Sequence, residues 1–123
     1  MAKKIFITED DKFLREMLTQ KFTGEGYEVD VAETGKIAVD KVKNVKTDLF
    51  VCDLLLPDMD GFDVLKAIQE NPKHKGIPVI VLSNLDKPED MTRAEKLGAK
   101  DFLIKSNFTV NEILAKVKDL LGE

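Results

Sequence analysis

Short apolar runs alternate five times with stretches of helical hydrophobic spacing along this chain, and that alternation leaves few folds open. Strand–helix alternation of this kind predicts a parallel sheet covered by helices on both faces. The expected strands are Lys4–Thr8, Tyr27–Ala32, Asp48–Asp53, Pro78–Ser83 and Asp101–Ile104. Between them, Phe13, Leu14, Met17, Leu18 and Phe22 recur at the spacing of a helix face, and Gly24 and Gly26 end that helix. Thr34 suits an N-cap, with Ile37, Ala38 and Val42 on the inner face of the helix after it. Phe62, Val64, Leu65 and Ile68 mark a third helix, closed by Pro72. Met91, Ala94 and Leu97 mark a fourth, opened by Pro88 and ended by Gly98. Thr109 caps a last helix carrying Val110, Ile113, Leu114, Val117, Leu120 and Leu121.

The strand patterns also give an order. The first, third and fourth runs are continuously apolar, as in strands buried on both faces. The second alternates, Val29 and Val31 against Glu28 and Asp30, as an edge strand does. The expected architecture is therefore a five-stranded parallel sheet in the order 2-1-3-4-5, flanked by five helices. Strand order reverses between the first and third strands. In open α/β sheets the ligand crevice lies at such a reversal, beyond the carboxyl ends of the strands.

The 123 residues read as one domain, 1–123, long enough to bury a core without staples. Net charge is -4 with both signs interspersed, which argues against direct nucleic-acid binding. Cys52 is the only cysteine and lies inside an apolar run, the place of a small buried hydrophobe. A reducing, cytoplasmic location is expected. The few apolar residues after Met1-Ala2-Lys3-Lys4 are too short for a signal-peptide core, and no window reaches membrane-span length.

The chemistry sits at the strand ends. Glu9 and Asp10 follow the first strand, Asp53 ends the third, Ser83 ends the fourth and Lys105 follows the fifth. Three carboxylates gathered at one crevice repel unless a cation joins them. Mg²⁺ favours hard oxygen ligands of this kind. An aspartate can attack a phosphoryl group, with a lysine and a hydroxyl meeting its oxygens. The bland alternative is that these acids are solvated caps of the following helices, a role Asp10 and Asp11 could each fill. His74 sits in the polar stretch Asn71-Pro72-Lys73-His74-Lys75-Gly76 and reads as a solvated loop residue. Lys43, Lys46, Lys73 and Lys75 read as solvated surface.

The segments that carry these residues resemble those of the receiver domain of two-component response regulators, of the chemotaxis-regulator type. They are Phe6-Ile7-Thr8-Glu9-Asp10-Asp11, Val51-Cys52-Asp53 through Asp60-Gly61-Phe62, Val81-Leu82-Ser83, Gly98-Ala99-Lys100-Asp101-Phe102, and Lys105. The resemblance runs from Lys4 to Leu121. It implies that Asp53 is the phosphoacceptor and that Mg²⁺ is held by Glu9, Asp10, Asp53 and the Leu55 backbone carbonyl. It further implies that Ser83 is a switch hydroxyl, Phe102 a switch aromatic and Lys105 the phosphate-pairing lysine, with Asp11 nearer a helix-capping role. A histidine kinase, phosphotransfer protein or small phosphodonor would supply the phosphoryl group. The face made of the fourth helix, fifth strand and fifth helix would then change its affinity for a downstream protein. Such a domain catalyses its own phosphorylation and dephosphorylation but is not a conventional enzyme. It is expected as a monomer, or a dimer once phosphorylated, away from membranes, either standing alone or cut from a longer regulator.

One departure concerns the loop after Lys105. Receivers usually place a cis proline there, and this chain has Ser106. A cis bond before a non-proline residue costs about 2.5–4 kcal/mol, so the loop takes a trans path or holds a strained cis bond. Two other classes compete with the switch reading. A constitutive interaction module would keep the fold without phosphorylation, but the intact Glu9, Asp10, Asp53 and Lys105 argue against it. A flavin-binding flavodoxin-like protein shares the topology, but no Ser-, Thr- and Gly-rich phosphate loop follows the first strand.

Overall fold

Apolar side chains alternate across each strand, so a sheet built from the four most apolar runs must be covered on both faces. The computed structural model describes residues 2–123, and of the predicted domain only Met1 lies outside them. The elements run β1 (Lys4–Thr8), α1 (Lys12–Gly24), β2 (Glu28–Ala32), α2 (Gly35–Val42), β3 (Leu49–Cys52), α3 (Gly61–Glu70), β4 (Val79–Ser83), α4 (Pro88–Lys96), β5 (Asp101–Ile104) and α5 (Val110–Leu121). Two 3₁₀ turns, Pro72–His74 and Lys105–Asn107, lie between them. The sheet has the order β2-β1-β3-β4-β5 with every neighbouring pair parallel, as the strand patterns require.

The strand alternation divides the interior into two cores. On one face Ile5, Ile7, Leu49, Val51, Ile80, Leu82 and Leu103 pack under α1 and α5, against Leu18, Phe22, Ile113, Leu114 and Val117. On the other, Phe6, Phe50, Cys52, Val79 and Val81 pack under α2, α3 and α4. Side chains buried this fully contribute about 1.5–3 kcal/mol each. The two cores hold β1 and β3 rigidly side by side, in the register Ile7↔Val51 and Thr8↔Cys52. Their carboxyl ends therefore finish level.

Three expectations need correction. His74 is not a solvated loop residue; it is buried at 2% exposure. The 3₁₀ turn tucks its ring edge-on to Phe50 at 5.1 Å, and Nε2 meets the Val42 carbonyl at 2.7 Å. Phe13, counted with Leu14, Leu18 and Phe22 on one helix face, is 74% exposed, and Met17 is 38% exposed. Leu14, Leu18 and Phe22 form one row four residues apart and meet the core; Phe13 and Met17 form the next row, about 100° around the helix. Ile37 likewise stands outside the contact face of α2, where Ala38 and Val42 are buried.

Candidate metal centre

β1 delivers Glu9 and Asp10 to the reversal point, and the backbone there is held from both sides. The Glu9 N–H donates to the Ala32 carbonyl at 3.0 Å, and the Asp53 N–H donates to the Thr8 carbonyl at 3.0 Å. The ladders thus continue one residue past the strands and fix where both side chains start. Asp11 caps α1 by accepting from the Leu14 N–H at 3.2 Å. Arg15, one turn into α1, donates to the Glu9 and Asp10 carbonyls at 2.9 and 3.3 Å. Nothing in the local sequence pattern singles Arg15 out, because its partners are backbone atoms.

The carboxylates of Glu9, Asp10 and Asp53 converge, with one oxygen of each within 4.8 Å of the others. Glu9 and Asp53 are buried while Asp10 stands at the exposed lip. Lys105 reaches across from the end of β5. Its Nζ lies 2.5 Å from Asp53 Oδ2 and 2.8 Å from Glu9 Oε1. Burial pushes the Glu9 carboxyl up to about 7; the Lys105 hydrogen bond opposes the rise and the Asp53 charge adds to it. For Lys105, desolvation works downward, but its bonds to Asp53 and Glu9 outweigh it and leave the ammonium raised. Cys52 stays a buried thiol, its pKa pushed up first by burial and then by the nearby Asp53 charge.

The segment after Asp53 is a closed loop. Leu55 and Asp60 form an isolated antiparallel bridge, and the Gly61 N–H donates to the Leu54 carbonyl at 3.1 Å. A Cβ at Gly61 would stand 2.3 Å from the Leu54 Cα, so the loop closes only over a glycine. The Leu55 N–H donates to Asp53 Oδ1 at 3.0 Å, which orients the carboxylate. Asp60 caps α3 through the Phe62 N–H.

Ser83 is fully buried at the end of β4, paired in register with Ile104, the residue before Lys105. Its Oγ accepts from the Leu85 N–H at 3.4 Å. Phe102 pairs with Val81, is half-buried against the α2–α4 core, and lines a groove with Met91, Glu95 and Ala99 between α4 and β5. The Lys105–Ser106 bond is trans, and Lys105–Asn107 form the 3₁₀ turn that leads to α5.

Three carboxylates against one ammonium leave an excess of two negative charges in a cleft of hard oxygen donors when all are ionised. That donor set fits a small divalent cation. Residues 5–118 match the response regulator receiver domain family. The chain belongs to that family. A receiver is a phosphoryl-accepting signalling switch, and nothing in this one favours a constitutive interaction module. The chain is 35% identical over 118 residues to the transcriptional regulatory protein CusR of Escherichia coli K12, covering 96% of this chain and 51% of that protein. It is 32% identical over 118 residues to the DNA-binding response regulator MtrA of Mycobacterium tuberculosis, covering 96% and 50%. The receiver thus spans about half the length of these curated relatives. A CheY-like receiver domain protein from Methanospirillum hungatei JF-1 superposes with a TM-score of 0.92 at 27% identity, covering 99% of this chain and 95% of that one. No helix among the described residues is long and apolar enough to cross a membrane.

Proposed function

We propose that Asp53 is the phosphoacceptor of this receiver. The observation that carries the reading is Lys105 bonded to both Glu9 and Asp53 inside a cluster of three carboxylates. Glu9, Asp10, Asp53 and the Leu55 carbonyl would hold Mg²⁺. When bound, the ion neutralises the excess charge and polarises phosphoryl oxygens. A carboxylate oxygen of Asp53 attacks phosphorus, forming an acyl phosphate, while the bond to the donor's nitrogen or oxygen breaks and its electron pair leaves with the donor. The Leu55 N–H keeps Asp53 Oδ1 oriented during the attack, leaving Oδ2 on the Lys105 side. Lys105 then exchanges its bond to Asp53 for one to a phosphoryl oxygen. The Ser83 hydroxyl turns to donate to another, and Phe102 moves into the space it leaves. The α4–β5–α5 face thereby changes its affinity for a downstream protein, because its two states interact differently with that partner.

The donor is a histidine kinase, a phosphotransfer protein or a small phosphodonor. The domain, read as residues 1–123, acts in the cytoplasm as a monomer, or a dimer once phosphorylated. It catalyses its own phosphorylation and dephosphorylation and no other turnover. It has no direct contact with nucleic acid. Beryllofluoride, a mimic of the phosphoryl group, tests the site. With Mg²⁺ it should raise the thermal midpoint through mass action on the folded state, more than Mg²⁺ alone. An unmoved midpoint in both conditions counts against the metal site and the switch together.

A further inference from the structure

The loop that carries Leu55 is anchored at its tip as well as at its base. Asp58, at the tip, reaches to the start of α2, where Oδ1 accepts from the Gly35 N–H and Oδ2 from the Lys36 N–H, both at 2.9 Å. The next free N–H of that helix, on Ile37, is met locally by the Thr34 hydroxyl at 3.1 Å. So α2 has two caps: a local one, and one lent by a residue more than twenty positions downstream. The Lys36 N–H, joined by that of Gly35, holds the Asp58 carboxyl below its ordinary value. Residue 35 is shaped for the same contact. A Cβ there would stand 2.3 Å from Met59 Cγ and 3.2 Å from Asp58 Oδ1. The glycine lets the tip settle on the helix.

We propose that Asp58 is a positioning residue for the metal and phosphoacceptor site, acting by pinning the Leu54–Asp60 loop to the amino end of α2. The path is short. The pinned loop presents the Leu55 N–H to Asp53 Oδ1 and sets where the Leu55 carbonyl points. With the tip released, the loop hinges on its base alone, where the Leu55–Asp60 bridge and the Gly61–Leu54 bond remain. Binding a cation must then order the loop as well, and that entropy weakens affinity. Supporting partners of metal ligands act in this way generally. The inference rests on the reading of the cluster as a Mg²⁺ site.

The test is a Mg²⁺ titration by calorimetry on the wild-type chain and on Asp58→Ala, Thr34→Ala and Gly35→Ala, with thermal midpoints measured in metal-free buffer. Thr34→Ala is the control: it frays the same helix end without releasing the loop. Asp58→Ala should weaken Mg²⁺ binding about tenfold, the low end of what losing a ligand's support does, whereas Thr34→Ala should bind as the wild type does. Gly35→Ala removes helix-disfavouring glycine yet displaces Met59, so it should also bind Mg²⁺ more weakly; it decides the question if Asp58→Ala fails to fold. Affinity within about twofold of wild type in the folded variant, well short of the usual loss of support, overturns the proposal. So does an equal loss in Thr34→Ala, which would make helix stability the cause. A wild type that takes up no Mg²⁺ overturns the metal-site reading and this inference together, an outcome separate from normal wild-type binding with an unaffected Asp58→Ala.

Discussion

Glu9 carries much of the electrostatic tension of the metal-free site. Its carboxyl is raised from 4.5 to about 7, chiefly by burial, so the folded protein holds that proton more tightly than the unfolded chain does. A raised folded value gives stability that is full below the unfolded value and is lost as pH climbs through the folded one. In chelator, the thermal midpoint of wild type should therefore fall relative to that of Glu9→Gln as pH rises from 4.5 to about 7. Parallel midpoint curves for the two proteins would show that Glu9 ionises freely. Leu55 and Leu85 bear on a different step, the loss of the phosphoryl group. Hydrolysis needs a water held in line with the scissile bond. Leu55 is half exposed beside Asp53, and Leu85 lies two residues past Ser83. Neither side chain can orient a water by hydrogen bonding, and both can exclude one; the polar Asn84, between Ser83 and Leu85, is exposed. The phosphorylated form should decay slowly for a receiver, and Leu55→Asn with Leu85→Glu should shorten its lifetime in a phosphate-release assay. Decay of the wild type within seconds, or a double variant that decays no faster, would count against water exclusion.

Among the elements, α4 and α5 are anchored very differently. α5 opens with a full capping box, Thr109 with Glu112, and buries Ile113, Leu114, Val117 and Leu121. α4 has no side-chain cap and buries Ala94 alone. Beside it, Leu97 at the helix end is partly buried against the same core, and Arg93 stacks 4.0 Å over the Phe62 ring and reaches Asp60 at 4.0 Å. A helix held by so little interior surface is the one best able to shift under the proposed movement of Ser83 and Phe102. Both Arg93 partners belong to the loop and helix that follow Asp53, so α4 is tied to the site as well as to β5. The loop itself depends on Gly61. Gly61→Ala places a Cβ against the Leu54 backbone, which cannot yield as a side-chain tip would. It should cost about 1–3 kcal/mol by denaturant unfolding, as overpacking does, and should slow phosphorylation of the folded fraction. Wild-type stability in that variant would mean that the loop opens without penalty.

For the molecule as a whole, the sheet was legible because burial on both faces leaves a direct trace in composition. Ile5-Phe6-Ile7 and Val79-Ile80-Val81-Leu82 have no polar position, while Glu28-Val29-Asp30-Val31 alternates, and β2 duly lies at the edge. Strand order then followed, and with it the meeting of Glu9, Asp10 and Asp53. Contacts that join distant segments through polar atoms left no such trace. Asp58 reads as one more acid in a turn, and its hold on Gly35 and Lys36 depends on where α2 lies. His74 sits among lysines and a proline, and only the 3₁₀ turn brings it beneath Phe50. Phe13 misled in the opposite sense, because helical spacing marks an apolar row but not whether another element covers it. The roles of individual side chains at the site rest on chemistry, and chemistry can test them. Acetyl phosphate and Mg²⁺ are added to the wild type and to Asp53→Asn, and intact mass is measured, followed by peptide mapping. The account predicts a single phosphoryl adduct on Asp53 in the wild type and none in the variant. Equal labelling of Asp53→Asn would contradict it.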